Sequence, residues 1–433
     1  MSEAAPRPGA FPPDLFAGRR FAVLGLGRNG EPAVRALAAM GAGVQAWDDR
    51  ATLVDPPPGV VLAPFDDLRG FDALVLSPGI PHRLPAPHPV AAMALASAVP
   101  ILSDAELLFQ AVRCAGSRAR FAGITGTNGK STTTALLVHL CREAGIPAAA
   151  GGNLGPAALA LPLLPDDGIY VLEMSSYMLE RLSTLRFDAA CLLNLSPDHL
   201  DRHGDMDGYR DAKLRIFERQ RPDDLAVLGF PAFPPTAARV EILPEPSTIP
   251  PRDSMLPGAH NRQNIAAAVL MARHLGVSDA AIDGGVASFA GLPHRQQLVA
   301  VHDGRTFVND SKATNAESAA VALGCYDRIA WIAGGIAKAG GIDSLVPFFP
   351  RIVHASLYGR DAGELARPLA RHAVPHSLHP DLRSALGEAS AVDADIVLFS
   401  PACASFDQFA NFEARGDAFI SGVRSLTEAG QDT

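Results

Sequence analysis

Residues 123–132 read G-I-T-G-T-N-G-K-S-T and decide the central part of the fold. An apolar stretch, residues 121–124, precedes this loop, and a helical pattern follows it. A strand, a glycine loop, a lysine, a hydroxyl residue and a helix are the layout of a phosphate-binding loop. Backbone N–H groups at the helix start would face the phosphates, Lys130 would reach the terminal ones, and Ser131 would hold Mg²⁺. The residues predicted to contact a nucleoside triphosphate here are Gly126, Thr127, Asn128, Gly129, Lys130, Ser131 and Thr132.

This loop departs from the strict pattern G-x-x-x-x-G-K-[ST], because the chain has Ile124 where the pattern has glycine. The alternative is an ordinary glycine turn before a helix. Such a turn would not explain why Lys130 and Ser131 follow Gly129 at the required spacing. The loop therefore favours binding of a nucleoside triphosphate.

The composition limits the possible functions. A length of 433 residues suggests about three domains, and a net charge of −9 argues against a nucleic-acid partner. The five cysteines are scattered without a C-x-x-C pair, so neither a disulfide framework nor a zinc ribbon is indicated. The N-terminus has no signal pattern, and no apolar run reaches the ~18 residues of a membrane span. We expect a cytoplasmic monomer without membrane insertion.

A second glycine motif lies near the N-terminus. An apolar strand, residues 21–24, leads into G-L-G-R-N-G at residues 25–30 and then into a helix. A second strand ends in Asp48 and Asp49, close to the ~20-residue spacing of an acid that binds a ribose. By itself this motif favours an NAD-dependent oxidoreductase. A third strand ends at Ser77 and the following Pro-Gly pair, which is either a ligand loop or a plain turn.

Further candidates follow the phosphate loop. A strand ends on Glu173, where a carboxylate that organises Mg²⁺ is expected, although a surface-facing strand end is the alternative. His199 and His203 are four residues apart, as two zinc ligands on one helix face would be, but no third sulfur or nitrogen ligand is evident. Lys213 lies in a helical run, where periodicity alone indicates an ordinary solvated lysine.

Polar and cationic residues also follow the predicted strands of the last third, residues 306–308, 328–332 and 396–399. The carboxyl ends of strands are where open α/β sheets bind ligands. Helix caps and turns are the alternative, but they would not need the two lysines Lys312 and Lys338 at such ends.

Taken together, the chain resembles the Mur ligase family over residues 24–416. The stretches that carry the resemblance are residues 123–132, 151–155, 173–176, 194–202, 213–216, 260–264, 292–295, 309–315 and 400–416. Several are weak alone, but together and in this order they are specific. The phosphate loop of that family also lacks glycine where this chain has Ile124.

The resemblance implies an α/β fold of three domains. These are an N-terminal Rossmann-like domain for a UDP-linked substrate, residues 1–100; a central P-loop ATPase-type domain with a parallel sheet, residues 101–292; and a C-terminal Rossmann-like domain for an amino acid, residues 293–433. The first glycine motif would then hold the phosphates of a UDP-sugar instead of a dinucleotide. The residues implied in binding the UDP substrate are Gly27, Arg28, Asn29, Asp48, Asp49, Ser77, Gly79 and Asn153.

The activity that the resemblance implies is ATP-dependent addition of D-glutamate to UDP-N-acetylmuramoyl-L-alanine through an acyl phosphate, in the cytoplasmic synthesis of peptidoglycan precursors. No D-N-P-R motif is present, which argues against a member that adds diaminopimelate or lysine. Carboxylate attack on the γ-phosphate brings two anions together, so cations must neutralise the approach. The resemblance implies catalytic roles for Lys130, Glu173, His199 and Lys213.

The same resemblance implies two Mg²⁺ sites, formed by Ser131, Glu173, His199 and a carbamylated Lys213. The further ATP contacts that it implies are Asn264, Arg295 and Asp310. The glutamate contacts that it implies are Lys312, Thr314, Lys338, Ser405 and Phe412.

Three alternatives remain open. A Rossmann oxidoreductase would bind nicotinamide at residues 25–30, and a non-catalytic regulator would bind ATP without turnover. Within the ligases, an enzyme that adds L-glutamate, such as a folate polyglutamate ligase, is the nearest alternative, because the choice of enantiomer depends on site geometry at about 0.5 Å.

Overall fold

Three sheets with flanking helices follow one another along the chain in this computed structural model, which describes residues 9–429 except 154, 233 and 339. The α/β fold class predicted from the sequence is confirmed. Among the described helices, none has the length and apolar character needed to cross a membrane.

The first sheet is parallel, with the order β3-β2-β1-β4-β5. Its strands are β1 (Arg20–Leu24), β2 (Gly43–Trp47), β3 (Val61–Leu62), β4 (Ala73–Leu76) and β5 (Ile101–Leu102). The strand order reverses between β1 and β4, and a crevice at the carboxyl ends of two such strands is the usual ligand position. The glycine motif follows β1, and Ser77 follows β4.

The second sheet is also parallel, with the order β11-β10-β9-β6-β8-β7. Its strands are β6 (Arg120–Thr125), β7 (Ala148–Gly152), β8 (Ile169–Glu173), β9 (Ala189–Leu192), β10 (Leu225–Leu228) and β11 (Arg239–Ile242). The central strand β6 runs into the phosphate loop, and its neighbours β8 and β9 end beside that loop. Buried apolar residues of the first two sheets form one continuous core.

The third sheet is mixed, with the order β12-β13-β17-β14-β15-β16 and β12 antiparallel to β13. Its strands are β12 (Gln297–His302), β13 (Arg305–Asn309), β14 (Ile329–Gly334), β15 (Ile352–Tyr358), β16 (His376–His379) and β17 (Ile396–Phe399). Since β13, β17 and β14 are neighbours, the loops after them lie side by side at one edge.

Helices cover the sheets and carry several candidate residues. They are α1 (Gly30–Ala39), α2 (Pro89–Ala96), α3 (Asp104–Cys114), α4 (Lys130–Glu143), α5 (Ser176–Leu179), α6 (Leu200–His203), α7 (Met206–Leu214), α8 (Ala259–His274), α9 (Asp279–Ser288), α10 (Ala316–Leu323), α11 (Ala362–Arg371), α12 (Leu382–Ala391) and α13 (Phe412–Ala429). Short 3₁₀ segments lie at Ala158–Ala160, Arg215–Phe217 and Asp343–Arg351.

The chain divides into two compact units. The first comprises Met1–Arg252 and His260–Ala287 and contains the first two sheets; the second comprises Asp253–Ala259 and Ser288–Thr433 and contains the third sheet. The three domain boundaries expected from the sequence stay a prediction.

Candidate active site

The loop after β6 is shaped for an anion. Gly129, immediately before α4, has φ +83°, and a Cβ there would lie 2.2 Å from Oδ1 of Asn264. Only glycine combines this left-handed conformation with such a close neighbour. The loop therefore presents backbone N–H groups at the start of α4, as a phosphate site requires.

Asn194, which follows β9, holds this loop in place. Its side-chain oxygen accepts from the Asn128 N–H at 2.8 Å, and its Nδ2 donates to the Asn128 carbonyl at 3.1 Å. The Asn194 carbonyl also accepts from the Thr127 N–H at 3.1 Å. Asn194 was not predicted as a site residue, although its position after a strand that neighbours β6 is a usable signal.

Two lysines meet at the loop. Lys130 Nζ donates to the carbonyls of Gly126 and Thr127 at 2.9 and 2.8 Å. Lys213 Nζ donates to the same Gly126 carbonyl at 2.9 Å and lies 4.6 Å from the ring centroid of Tyr209. Lys213 is only 2% exposed, so its interpretation as an ordinary solvated lysine is wrong. Burial first, and then the charge of Lys130, lower the pKa of Lys213 to about 7.

Glu173, the last residue of β8, is buried beside the loop. Its Oε1 accepts from Asn153 Nδ2 at 2.6 Å, while its Oε2 is buried without a hydrogen-bond partner among the described residues. A buried carboxylate oxygen without a donor fits a cation as its missing partner. Ser131, half-buried in the first turn of α4, supplies a hydroxyl of the type that Mg²⁺ accepts. These residues therefore fit a Mg²⁺ ion.

The two histidines have different environments. His199, before α6, has φ +54°, a half-exposed side chain and Asp198 Oδ2 at 3.3 Å. Burial is the main cause that lowers the pKa of His199, against the charge of Asp198. His203 is buried, and its Nε2 pairs with the Ser176 hydroxyl at 2.9 Å. Within the described part of the chain, no group of three or more His, Cys, Asp or Glu side chains is placed to hold a metal ion.

A cavity of about 340 Å³ opens at the carboxyl ends of β1 and β4. Seven of the eight residues predicted for the UDP substrate line it: Gly27, Arg28, Asn29, Asp48, Ser77, Gly79 and Asn153. Asp49 lies outside this lining, and its carboxylate pairs instead with Trp47 Nε1 at 3.0 Å and His88 Nε2 at 2.9 Å.

The Asp48 carboxylate holds the glycine loop. It accepts from the N–H groups of Leu26, Arg50 and Ala51 at 2.7, 2.8 and 3.0 Å. Its hydrogen-bonding capacity is thus largely used within the protein. The structure shows Asp48 as a residue that shapes the cavity wall.

Arg181 was missed by sequence analysis. It is 2% exposed, and its guanidinium donates to the carbonyls of Leu76, Ser77 and Ile80 at 2.8, 3.0 and 2.6 Å. It fixes the loop after β4 that forms one wall of the cavity. No local motif marks this arginine.

In the second unit, Asp310 follows β13 and is buried. Its Oδ2 accepts from the Ser400 hydroxyl at 2.8 Å, and its Oδ1 from the Gln296 N–H at 3.1 Å. Burial raises the pKa of Asp310 to about 7, although the charge of Arg295 opposes the shift. The charge of Arg295 thus acts on Asp310 within this unit, and their shared role in ATP binding stays a prediction.

The residues predicted for glutamate lie at the adjacent loops after β13, β17 and β14. Lys312 Nζ is 3.9 Å from the ring centroid of Phe412. Ser405 is buried, and Lys338 is exposed. The loops of Ser405 and Lys338 are joined by paired backbone hydrogen bonds between Ile336 and Ala404, both 2.9 Å. Thr314 is half-buried two residues after Lys312.

Arg415, which was not predicted as a site residue, holds the loops after β13 and β17. It is fully buried and donates to the Ser311 carbonyl at 2.8 Å, the Ser311 hydroxyl at 3.0 Å and the Cys403 carbonyl at 2.9 Å. It thereby ties the loops after β13 and β17 together.

The chain contains only four lysines among its 37 basic Lys and Arg residues. They are Lys130, Lys213, Lys312 and Lys338. All four belong to the predicted site, whereas arginine supplies every other permanent side-chain cation. Lysine differs from arginine in its compact charge and its readily shifted pKa. This scarcity is a sequence signal for the site.

Comparison with known proteins supports one family. The family model described as the Mur ligase middle domain matches residues 124–231. The UDP-N-acetylmuramoylalanine–D-glutamate ligase of Paramagnetospirillum magneticum is 43% identical, with 96% of this chain and 98% of that protein covered. The ligase of the same name from Novosphingobium aromaticivorans is 44% identical, with 95% and 96% covered.

Solved structures agree on the fold. The MurF ligase of Thermotoga maritima in complex with ADP superposes with a TM-score of 0.58 at 15% identity, covering 95% of this chain and 96% of that one. E. coli FolC in complex with ADP gives a TM-score of 0.52 at 17% identity, covering 76% and 94%.

Proposed function

The chain belongs to the Mur ligase family, among the UDP-N-acetylmuramoylalanine–D-glutamate ligases, and on that premise we propose how its residues act. It is an ATP-dependent ligase that joins D-glutamate to UDP-N-acetylmuramoyl-L-alanine in peptidoglycan precursor synthesis. The names of its relatives favour this reaction over addition of L-glutamate and over an oxidoreductase.

One contact supports this assignment most directly. Asn153 lines the cavity of the first sheet and donates to Glu173 beside the phosphate loop at 2.6 Å. The predicted UDP-substrate cavity and the predicted Mg²⁺ carboxylate therefore share a hydrogen-bonded pair. A substrate in the cavity would extend its alanyl carboxylate towards the γ-phosphate.

The first step is phosphoryl transfer. An oxygen of the alanyl carboxylate attacks the γ-phosphorus, the bond to the bridging β,γ-oxygen breaks, and ADP leaves. Lys130 would exchange the Gly126 and Thr127 carbonyls for phosphate oxygens, and the N–H groups of the loop would stabilise the developing charge. Mg²⁺ held by Ser131 and Glu173, and a second ion held by His199 and Lys213, would supply further positive charge.

The second step forms the amide. The amine of D-glutamate attacks the acyl carbon, inorganic phosphate leaves, and the amine loses a proton. Lys312 and Lys338 would pair with the two carboxylates of glutamate, while Thr314, Ser405 and Phe412 would position it. Asn264, Arg295 and Asp310 complete the proposed ATP contacts.

Lys213 is proposed to act as a carbamate. The ammonium group first loses one proton, and the neutral amine then adds to CO₂ and releases a second, so that a cation becomes an anion overall. A pKa of about 7 supplies that neutral amine near neutral pH. The resulting carbamate gives the buried position the oxygen ligands that Mg²⁺ prefers. We further infer that the enzyme acts in the cytoplasm, because its substrates are hydrophilic precursors of peptidoglycan, and that it works as a monomer.

The decisive experiment measures phosphate release from ATP with Mg²⁺, UDP-N-acetylmuramoyl-L-alanine and each glutamate enantiomer in turn. We expect turnover with D-glutamate and a rate at least tenfold lower with L-glutamate. Turnover with L-glutamate alone, or none with either enantiomer, would contradict the proposal. A fluorescence titration with NADH tests the oxidoreductase alternative, for which we expect no saturable binding.

A further inference from the structure

An arginine-lined cleft of about 660 Å³ lies in the first unit. Its cationic lining residues are Arg113, Arg118, Arg186, Arg219 and Arg221. The same lining contains a single carboxylate, that of Asp188. Five guanidinium groups around one cleft contrast with the net charge of −9 of the chain. The overall composition therefore does not explain this cluster.

The cleft is separate from the active site. Arg118 precedes β6, Arg186 precedes β9, and Arg221 precedes β10, so these residues lie at the amino ends of three parallel strands. The phosphate loop follows the carboxyl end of β6. Six residues of strand at about 3.3 Å each place the two ends of β6 roughly 20 Å apart.

Protein carboxylates neutralise only part of this charge. Arg118 pairs with Asp166 at 3.0 Å, and Arg186 pairs with Asp188 and with Asp224. Within the described residues, neither Arg113 nor Arg221 forms an ion pair with a carboxylate.

Arg219 pairs with Glu218 at 3.6 Å, but Glu218 is shared with Arg215 at the same distance. Arg113 donates to the Ser117 carbonyl at 2.8 Å, which satisfies an N–H group but leaves its charge in place. The cleft thus keeps an excess of positive charge.

One guanidinium is fixed with an unused donor. Arg219 donates through Nε to the Ser183 carbonyl at 2.7 Å and through Nη2 to the Leu182 carbonyl at 3.0 Å. Its Nη1 is buried and has no hydrogen-bond acceptor among the described residues. The two bonds to the Ser183 and Leu182 carbonyls fix the orientation of the Arg219 guanidinium, which lines the cleft.

We propose that this cleft binds a phosphate-bearing anion at a site distinct from the phosphate loop. Arginine forks match the oxygens of phosphate, and several of them suit a multiply charged group. The volume lies within the range of small-ligand sites. Phe109 also lines the cleft, with the Arg113 guanidinium over its ring at 4.8 Å, and adds an apolar contact for a nucleoside. The phosphate groups can therefore come from inorganic pyrophosphate or from a nucleoside diphosphate.

The test titrates the full chain with pyrophosphate and, separately, with ADP by isothermal calorimetry. We expect two binding equivalents in the native protein and one in Arg221→Glu, with affinity at the lost site reduced at least tenfold. Lys130→Ala is expected to keep the cleft equivalent, because Lys130 belongs to the phosphate loop. Arg69→Glu is the matched control, since Arg69 is exposed and its ion-pair partner among the described residues is Asp67.

The two ligands separate the sources of the phosphate. If Arg221→Glu loses one binding equivalent for both pyrophosphate and ADP, the phosphate groups alone are recognised. If it loses one equivalent for ADP only, the nucleoside takes part in binding. In the second case, Phe109→Leu should also lower the affinity of the cleft for ADP. One equivalent in the native protein, or two in both Arg221→Glu and Arg221→Gln, would overturn the proposal. Unchanged thermal unfolding checks that each variant is folded.

Discussion

Lys130 and Lys213 donate hydrogen bonds to the same acceptor, the carbonyl oxygen of Gly126, each at 2.9 Å. Two ammonium groups on one carbonyl repel each other, and the buried one is the easier to deprotonate. Burial and the charge of Lys130 accordingly lower the pKa of Lys213 to about 7. The position of Lys130 thus favours the neutral amine that a carbamate requires.

Replacing Lys213 should remove most activity. We expect Lys213→Ala to lower kcat by about 10²–10³-fold, the effect of losing one charged group that stabilises a transition state. A short carboxylic acid such as acetate should restore part of the rate, because the truncated side chain leaves room for it. Lys213→Arg is the control, since it fills that room and cannot form a carbamate. ADP release measures all three, and full activity without added acid would remove Lys213 from the site.

Lys213 should also make stability depend on pH. The pKa of Lys213 is about 7 in the folded chain and 10.5 in the unfolded chain. Between these two pH values the unfolded chain therefore binds more protons than the folded chain. Stability therefore rises with pH in this window, by up to about 1.4 kcal/mol per pH unit, and the slope disappears below pH 7. The Lys213→Met variant should not show this rise of stability with pH. Urea unfolding of both chains at pH 7–9.5 in CO₂-free buffer tests this, and equal slopes would contradict the shift.

Asp310 should make the stability of the second unit depend on pH in the opposite direction. Its folded pKa is about 7 against 3.8 for the unfolded chain, so the folded chain binds more protons between these values. Stability of that unit should fall as pH rises from 4 to 7, and Asp310→Asn should remove this part of the fall. Trp331 is buried in this unit, so its fluorescence during urea unfolding reports the change in a Trp47→Phe background, which removes the tryptophan of the first unit. If Asp310→Asn loses stability between pH 4 and 7 as steeply as the native chain, another group is responsible for the fall.

Gly129→Ala tests the shape of the phosphate loop against a matched glycine. Gly145 has a similar φ, +73°, but a Cβ there would meet nothing within 4 Å, whereas at Gly129 it would lie 2.2 Å from Asn264. We expect Gly145→Ala to cost about 1–2 kcal/mol of unfolding free energy from the left-handed backbone alone. Gly129→Ala should cost more and should also weaken ATP binding at least tenfold. Equal effects of the two on stability and on ATP binding would argue against the predicted contact.

Glu173→Gln tests the proposed Mg²⁺ ligand. The amide keeps the shape but loses the charge of the oxygen that lacks a partner. We expect the Mg²⁺ concentration at half-maximal ATP turnover to rise about 10–100-fold. Glu143→Gln, at the exposed end of α4, is the control and should leave it unchanged. An unchanged Mg²⁺ requirement in Glu173→Gln would place the ion elsewhere.

Much of the site could be predicted because its parts are local in sequence. The phosphate loop, residues 123–132, and Glu173 each follow or end an apolar strand. Parallel strands place their carboxyl ends at one edge, so the convergence of Gly27 and Ser77 on one cavity follows from the strand pattern of the first sheet. Asn153, which follows β7 of the second sheet, was implied only by the family resemblance.

The supporting residues could not be predicted in this way. Arg181 contacts the carbonyl of Leu76, 105 residues away, and Asn194 contacts Asn128, 66 residues away. Arg415 contacts Ser311, 104 residues away. Such pairs depend on how distant segments pack, and no local pattern records them.

The sequence by itself determined the order of strands and loops, the positions of the glycines and the few lysines available for chemistry. Only the tertiary structure decided that Lys213 is buried against Gly126 and Tyr209, and that Glu173 has one oxygen without a donor. The reason is physical. Glycine loops and apolar strands follow from residues next to one another, whereas desolvation and unmet hydrogen bonds depend on every segment packed around a side chain.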